Sequence, residues 1–363
     1  MKKVFIVTGE LSGDKLGAWY AKRLRDERGD VKIHAVGGSF LKDAGATLYE
    51  RFEVLNIVGL AQIVKRIRFL LKFLSDLAHY IVSQSFDEVI VVDFPGFNLR
   101  LIKKLKQLNP EIKITYLSPP QVWIWGAGRV KTIKDYCDDV IVLYPFEVDW
   151  YKRRDVQARW LGYPFYEGFK KYFDQEKKQH LAIMPGSRLI EIKRLLPLFI
   201  KIARRLKLAY PNTKIVLPLA ESIDRTVVEK ILRRSVTARW CQDVVIVQGH
   251  AAKLEALSTC CLALTKPGTV TLELALLGVP AVVAYKASWV TYLIARLLVS
   301  IKNMSLPSLL LNDSVYPEFI QGDCREKKIW RAVRESYQLF LHDKHGYEKK
   351  CKKIKRVRDI LTR

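Results

Sequence analysis

This 363-residue chain is dominated by two series of short apolar runs rich in β-branched residues, each run followed by a turn and then a longer stretch of helical periodicity. Parallel strands need a crossover, usually a helix, and strands covered by helices on both faces are apolar throughout. In the first half the runs are Val4 to Thr8, Ile33 to Val36, Glu88 to Asp93, Lys113 to Leu117 and Val140 to Leu143, with helices such as Asp14 to Glu27 and Leu99 to Leu108 between them. After Gly162-Tyr163-Pro164 the charged segment Lys170 to Gln179 interrupts the pattern and reads as a linker. The second series runs through His180 to Met184, Lys214 to Leu219, Val244 to Gln248, Leu262 to Thr265 and Ala281 to Tyr285. The expectation is two doubly wound α/β domains, 1–168 and 169–325, facing a cleft, followed by a basic helical tail, 326–363. A single core stops growing beyond roughly 250–300 residues, which agrees with two domains.

Lys and Arg outnumber Asp and Glu by 62 to 37, a formal charge of +25. Such a surplus serves an anionic partner: nucleic acid, an anionic membrane surface or a phosphorylated substrate. No RNP-type aromatic strand, helix-turn-helix or zinc finger is present to address bases, so no nucleic acid is expected. The six cysteines have no C-x-x-C spacing, and the six histidines no H-E-x-x-H. With no D-x-D pair either, neither a metal nor a cofactor is implied. A G-x-S-x-G elbow is likewise missing, which argues against a serine hydrolase. No uncharged apolar stretch reaches the roughly 18–20 residues of a spanning helix, and the apolar run after Met1-Lys2-Lys3 is too short for a signal peptide. A cytoplasmic protein with at most peripheral membrane contact is expected.

Ligands of open α/β sheets sit outside the carboxyl ends of strands, which directs attention to four turns. The run ending at Thr265 leads through Lys266-Pro267-Gly268-Thr269 into a helix from Val270 to Leu277. A glycine lets a phosphate approach the backbone, and a helix start offers unpaired N–H groups. Glu273, one turn on from Thr269, is placed to accept from ribose hydroxyls; an ordinary turn with a surface glutamate explains the pattern equally well. Met184-Pro185-Gly186-Ser187-Arg188 offers amides, a hydroxyl and a guanidinium as a second diphosphate fork, unless Arg188 merely pairs with Glu191. Thr8-Gly9-Glu10-Leu11-Ser12-Gly13-Asp14 matches neither phosphate-loop fingerprint, and Ser12 or Asp14 reads as a helix cap. Glu10 is left projecting toward the cleft. In the fourth turn, Asp93 ends an apolar strand in Val91-Val92-Asp93-Phe94-Pro95-Gly96-Phe97-Asn98, where burial raises a carboxyl pKa and makes it a better base near neutral pH. A helix-capping Asp is the competing reading.

Val54 to Val82 sets Lys65, Arg66, Arg68 and Lys72 among many apolar residues. The stretch around Ile63, Val64, Ile67, Phe69, Leu70, Leu71, Phe73 and Leu74 suits an interfacial helix on anionic lipid, or else packs beneath the first sheet. Trp289 to Met304 offers a second apolar-basic stretch.

Together these residues resemble the lipid A disaccharide synthases, which have the GT-B fold of two Rossmann-like domains. The resemblance covers nearly the whole chain: Gly9-Glu10-x-Ser12-Gly13-Asp14, Asp93-x-Pro95-x-Phe97-Asn98, Ser118-Pro119 with Val122-Trp123-x-Trp125, Pro145-Phe146-Glu147, Pro185-Gly186-Ser187-Arg188, Gly268-Thr269-x-x-x-Glu273 and Ser305-Leu306-Pro307. It implies inverting, metal-free transfer of 2,3-diacylglucosamine from UDP to the 6-hydroxyl of 2,3-diacylglucosamine 1-phosphate, giving a β-1,6 disaccharide and UDP. It also implies an enzyme on the inner leaflet of the inner membrane, a tail that crosses back or exchanges in a homodimer, and Gln321 as a further UDP-binding position. On this pattern Asp93 is the base, with Glu10 beside it in the catalytic set, and Gly9, Ser12, Gly13 and Asn98 line the acceptor side. Gly186, Ser187, Arg188, Gly268, Thr269 and Glu273 hold UDP. The family often has an aspartate at Gly96, a histidine or asparagine at Tyr163 and an asparagine at Ser308, and these departures bear on the local contacts. Alternatives are another UDP-sugar enzyme, such as a UDP-N-acetylglucosamine 2-epimerase or a MurG-like transferase, or a non-catalytic basic module that binds membranes or nucleic acid.

Overall fold

A computed structural model describes residues 2–55, 63–120, 128–221, 223–235, 240, 243–286 and 304–362, without side chains at 63–66 and 235. The chain forms two compact units, Met1–Pro164 and Phe165–Arg363.

In the first unit, strands β1 (Lys2–Val7), β2 (Val31–Gly37), β3 (Thr47–Arg51), β4 (Glu88–Val92), β5 (Lys113–Leu117), β6 (Asp139–Val142) and β7 (Ala158–Trp160) form one parallel sheet ordered β3-β2-β1-β4-β5-β6-β7. Every residue of β4 is buried, as its uninterrupted Val and Ile content requires of a central strand covered on both faces. Helices α1 (Leu11–Arg28), α2 (Ser39–Asp43), α3 (Ile63–Ser83) and α4 (Pro95–Leu108) belong to this unit. The first helix is longer than its expected span. The fourth begins four residues earlier than predicted, because Pro95 supplies a φ already suited to a first helical turn.

The second unit repeats the design: β8 (Lys178–Met184), β9 (Lys214–Leu219), β10 (Val244–Gln248), β11 (Cys260–Thr265), β12 (Ala281–Tyr285) and β13 (Glu318–Ile320), all parallel, ordered β10-β9-β8-β11-β12-β13. The basic tail does not stand apart as a separate body. Ile329, Trp330, Val333 and Tyr337 of the helix Glu326–His342, with Tyr347 and Cys351 of the helix Lys344–Leu361, enter the core of this unit. Apolar residues at helical spacing must be buried somewhere, and this sheet buries them.

Each sheet reverses its winding once, between β1 and β4 and between β8 and β11. At such a reversal the loops diverge to opposite faces and leave a crevice. All four turns singled out in the sequence leave these four strands.

Candidate active site

At the first reversal, the loops after β1 and β4 pack against each other. Gly9 is buried, and a Cβ built on it would fall 2.2 Å from Cγ of Phe94, so only glycine lets the ring lie there. Glu10 is exposed and accepts a hydrogen bond from the Ser12 hydroxyl. The buried Gly13 and Asp14 open α1, but neither Ser12 nor Asp14 caps it. Instead the Asp14 carboxylate accepts from the backbone N–H groups of Gly38, Phe40 and Leu41 at 2.7, 3.0 and 3.3 Å, which caps α2 across the sheet. A through-space cap of this kind has no sequence signature.

Asp93 is not a cap either: Phe94 holds that position at the start of α4. Both residues have left-handed backbone, φ 43° and 44°. Non-glycine residues persist there only when their surroundings hold them. Here the Asp93 carbonyl accepts from Asn98 Nδ2 at 2.8 Å and from the Tyr116 hydroxyl at 2.9 Å, while Asn98 Nδ2 also reaches the Val92 carbonyl at 3.0 Å. Asn98 is therefore fully buried beneath the loop, rather than lining its open side as the sequence led us to expect. Tyr116 went unnoticed in the sequence because its role comes from strand register, Val91 lying opposite it. Burial keeps its hydroxyl protonated, well above the ordinary tyrosine range. The half-buried Asp93 carboxyl is pushed up to about 6 by burial first and by the charge of Glu10 second, against a hydrogen bond from the Phe94 backbone.

Beside this loop lies an apolar groove of about 600 Å³ between α3 and α4, with Ile67, Leu70, Leu71, Leu74, Phe94 and Phe97 in its walls and Gly96 and Arg100 at its edge. Helix α3 changes character along its length. Leu77, Ala78 and Ile81 are fully buried in the core, and Leu74 nearly so, whereas Leu70 and Phe73 are half-buried. Ile67, Phe69 and Leu71 are 45%, 43% and 52% exposed, so only the later turns of this helix pack beneath the first sheet. The side chains of Ile63 and Val64 lie outside the described ones. Among the described residues no helix is long and apolar enough to cross a membrane.

The second reversal holds a pocket of about 180 Å³. Gly186 and Ser187 after β8, Lys266, Gly268 and Thr269 after β11, and Glu273 one turn into the helix Thr269–Leu276 all line it, together with Lys253. Gly186 and Gly268 have φ of 141° and 144°, which other residues rarely adopt, and they turn the chain sharply at both strand ends. The amides expected to form a fork are engaged: Glu191 Oε2 accepts from the N–H groups of Ser187 at 3.2 Å and Arg188 at 3.4 Å. The other oxygen, Oε1, meets Lys266 Nζ at 2.8 Å. Arg188 thus pairs with Glu191 through its backbone, and its exposed guanidinium makes no ion pair among the described residues. Ser187, Lys266 and Thr269, the last at the start of the helix Thr269–Leu276, line the pocket. Lys253 escaped the sequence reading because it sits one turn into the helix His250–Ser258, not in a strand-end loop, although Gly249 before that helix was a usable signal.

Gln321 follows β13, buried, with φ 53°, and is not part of the pocket wall. Ser308 is fully buried and takes contacts from Ser305 Oγ at 2.8 Å and Val315 N at 3.3 Å. Glu318 accepts from the Ser305 hydroxyl at 2.6 Å, so this loop is held from within. Val122 to Trp125 and 289–303 lie outside the described residues. Among the described residues no three His, Cys, Asp or Glu side chains gather as a metal-holding group.

Comparison with known proteins bears on the use of these two crevices. The family model described as lipid-A-disaccharide synthetase matches residues 4–361. The chain belongs to this family. A lipid-A-disaccharide synthase of Myxococcus xanthus is 34% identical over 345 residues, 92% of this chain and 87% of the relative. Lipid-A-disaccharide synthase 1 of Legionella pneumophila strain Paris is 32% identical over 341 residues, covering 91% and 87%. Membership makes the chain a glycosyltransferase of lipid A disaccharide synthesis. Among solved structures, a UDP-GlcNAc 2-epimerase from Neisseria meningitidis bound to UDP-GlcNAc is similar with a TM-score of 0.64 at 14% identity, covering 99% of this chain and 98% of the other. An S. aureus MnaA–UDP structure gives 0.62 at 14%, covering 97% and 91%. At such identity these share the GT-B fold, and the family match, not this likeness, decides between synthase and epimerase.

Proposed function

We propose that the second unit holds the UDP of UDP-2,3-diacylglucosamine at the β8–β11 crevice, and that the first unit supplies the base and an acyl-chain groove for 2,3-diacylglucosamine 1-phosphate. Asp93 takes the proton of the acceptor's 6-hydroxyl. That oxygen attacks C1 of the donor sugar opposite the diphosphate, the C1–O bond to diphosphate breaks, and its electron pair leaves with UDP. Attack from the far face inverts C1 and gives the β-1,6 disaccharide 1-phosphate. The leaving diphosphate is met by the start of the helix Thr269–Leu276, the Ser187 hydroxyl, Lys266 and Arg188, and ribose by Glu273. The observation that carries this reading is the Asp93 carboxyl, raised to about 6, on the loop whose next residue, Phe94, lines an apolar groove. A base with a pKa just under neutral is largely ionised at work yet still holds a transferred proton well.

The exposed Ile67, Phe69 and Leu71, with Arg68 and Lys72 among them, support peripheral binding to an anionic bilayer, the cytoplasmic leaflet of the inner membrane in this reading. Association as a homodimer rests on the family resemblance, and analytical ultracentrifugation checks it. The decisive assay supplies both acylated substrates in detergent to the purified chain. Disaccharide should form, and Asp93→Asn should abolish it while leaving UDP binding intact. Folded wild-type protein that makes no product under these conditions overturns the reading.

A further inference from the structure

Lys253, Glu273 and Lys266 line the pocket of the second unit; Lys253 pairs with Glu273 and Lys266 with Glu191, and the two carboxylates differ in what they have left to offer. Glu191 takes two backbone N–H groups on one oxygen and Lys266 on the other, so most of its acceptor positions are in use. Glu273 has one donor among the described residues: Lys253 Nζ, 2.8 Å from Oε1 and 2.8 Å from Oε2. A carboxylate offers about four acceptor positions, and one bridging ammonium uses two of them. The pair is mostly buried, with side chains 21% and 15% exposed, and both residues face the same cavity as Gly268 and Thr269.

We propose that Lys253 is a specificity-determining positioning residue that holds Glu273 so that its remaining acceptors meet the two ribose hydroxyls of a nucleoside diphosphate. This rests on the reading of the pocket given above. The first reason is charge. A bare carboxylate beside an anion-binding helix start repels a diphosphate, and in a partly buried pocket that repulsion is weakly screened. Lys253 cancels it, which lets an acceptor of hydroxyl protons stand in a site built for anions. The second reason is orientation. A glutamate side chain has three rotatable bonds, and contact of both oxygens with one ammonium restricts where its carboxylate can stand. An ammonium has only donors, so Lys253 cannot itself replace Glu273 as the diol's partner.

Calorimetric titration of UDP and 2′-deoxyUDP into wild type, K253M, K253R and E273Q tests this. Wild type should prefer UDP, and K253M should bind UDP about tenfold more weakly with a smaller loss for 2′-deoxyUDP, so that the preference shrinks. K253R should restore most of it, and in the transferase assay K253M should raise the donor KM while leaving kcat near wild type. Thermal melts establish that the variants are folded, and K253Q takes the place of K253M should the latter not fold. A charge-removing variant that keeps the wild-type preference for UDP overturns the role of Lys253 and leaves the pocket reading intact. Equal binding of the two nucleotides by wild type, or no change in E273Q, overturns the assignment of Glu273 to ribose and the present proposal with it.

Discussion

The ring of Phe94 fills the space into which a side chain on Gly9 would project, and this contact locks the loop after β1 to the loop that bears Asp93. Gly9→Ala must therefore displace the ring and disturb a left-handed pair of residues. The expected result is a loss of about 1–3 kcal/mol in stability and a fall in kcat of tenfold or more. UDP affinity should not change, since the pocket proposed for it is built by the other unit. Calorimetry beside steady-state kinetics separates the two effects.

As the proposed base, Asp93 should make the reaction pH-dependent with a defined sign. Its carboxyl must be ionised to act as base, so kcat/KM should rise with pH, pass half its maximum near 6 and level off about a unit higher. Glu10 contributes to the raised value, and Glu10→Gln should move the rising limb to lower pH. A limb unmoved in that variant would separate Glu10 from the base.

The same group costs stability. An unfolded Asp ionises near 3.9, whereas in the fold it does so near 6. Between these values the folded chain binds more protons than the unfolded one, so stability falls as pH rises through this window, and the deficit is complete above it. It amounts to about 3 kcal/mol at most. Asp93→Asn should melt at a higher temperature than wild type at pH 7.5 and lose this advantage at pH 4, even though it is inactive. Melting curves at the two pH values decide this.

Arg188→Ala should weaken UDP binding by about tenfold, through loss of a guanidinium that makes no ion pair among the described residues, without lowering the melting temperature. Glu191→Gln should do both, because it releases Lys266 and two backbone N–H groups at once. A Glu191 variant with unchanged stability would show that this contact does not hold the loops together.

Replacing Ile67, Phe69 and Leu71 together by serine should leave the fold intact and reduce sedimentation with phosphatidylglycerol vesicles. Each such side chain contributes about 1.5–3 kcal/mol when fully withdrawn from water. Activity on long-chain substrates should fall, and activity on short-chain, water-soluble analogues should persist.

The parallel sheets were legible because their central strands are apolar on both faces, as Glu88–Val92 and Cys260–Thr265 illustrate. The strands that escaped notice, Thr47–Arg51, Ala158–Trp160 and Glu318–Ile320, are all sheet edges, short and only partly buried, so their residues carry little hydrophobic signal. In the candidate site, the turns carrying Gly9, Asp93, Gly186 and Gly268 could be read from glycine placement and strand ends. Tyr116, Lys253 and the cross-sheet cap by Asp14 could not, since each depends on which distant segments become neighbours.

The gradient along α3 gives the groove a sense of length. Leu74 is nearly covered and Ile67 stands in solvent, and both line the groove that Phe94 also lines. Seven residues of helix separate them, roughly 10 Å. If an acyl chain lies there, its first carbons are gauged against protein over that distance and the remainder passes out into lipid. On this geometry the groove would act as a ruler with a covered end at Leu74 and an open end at Ile67, which distinguishes tails too short to reach the open end more sharply than tails that run beyond it.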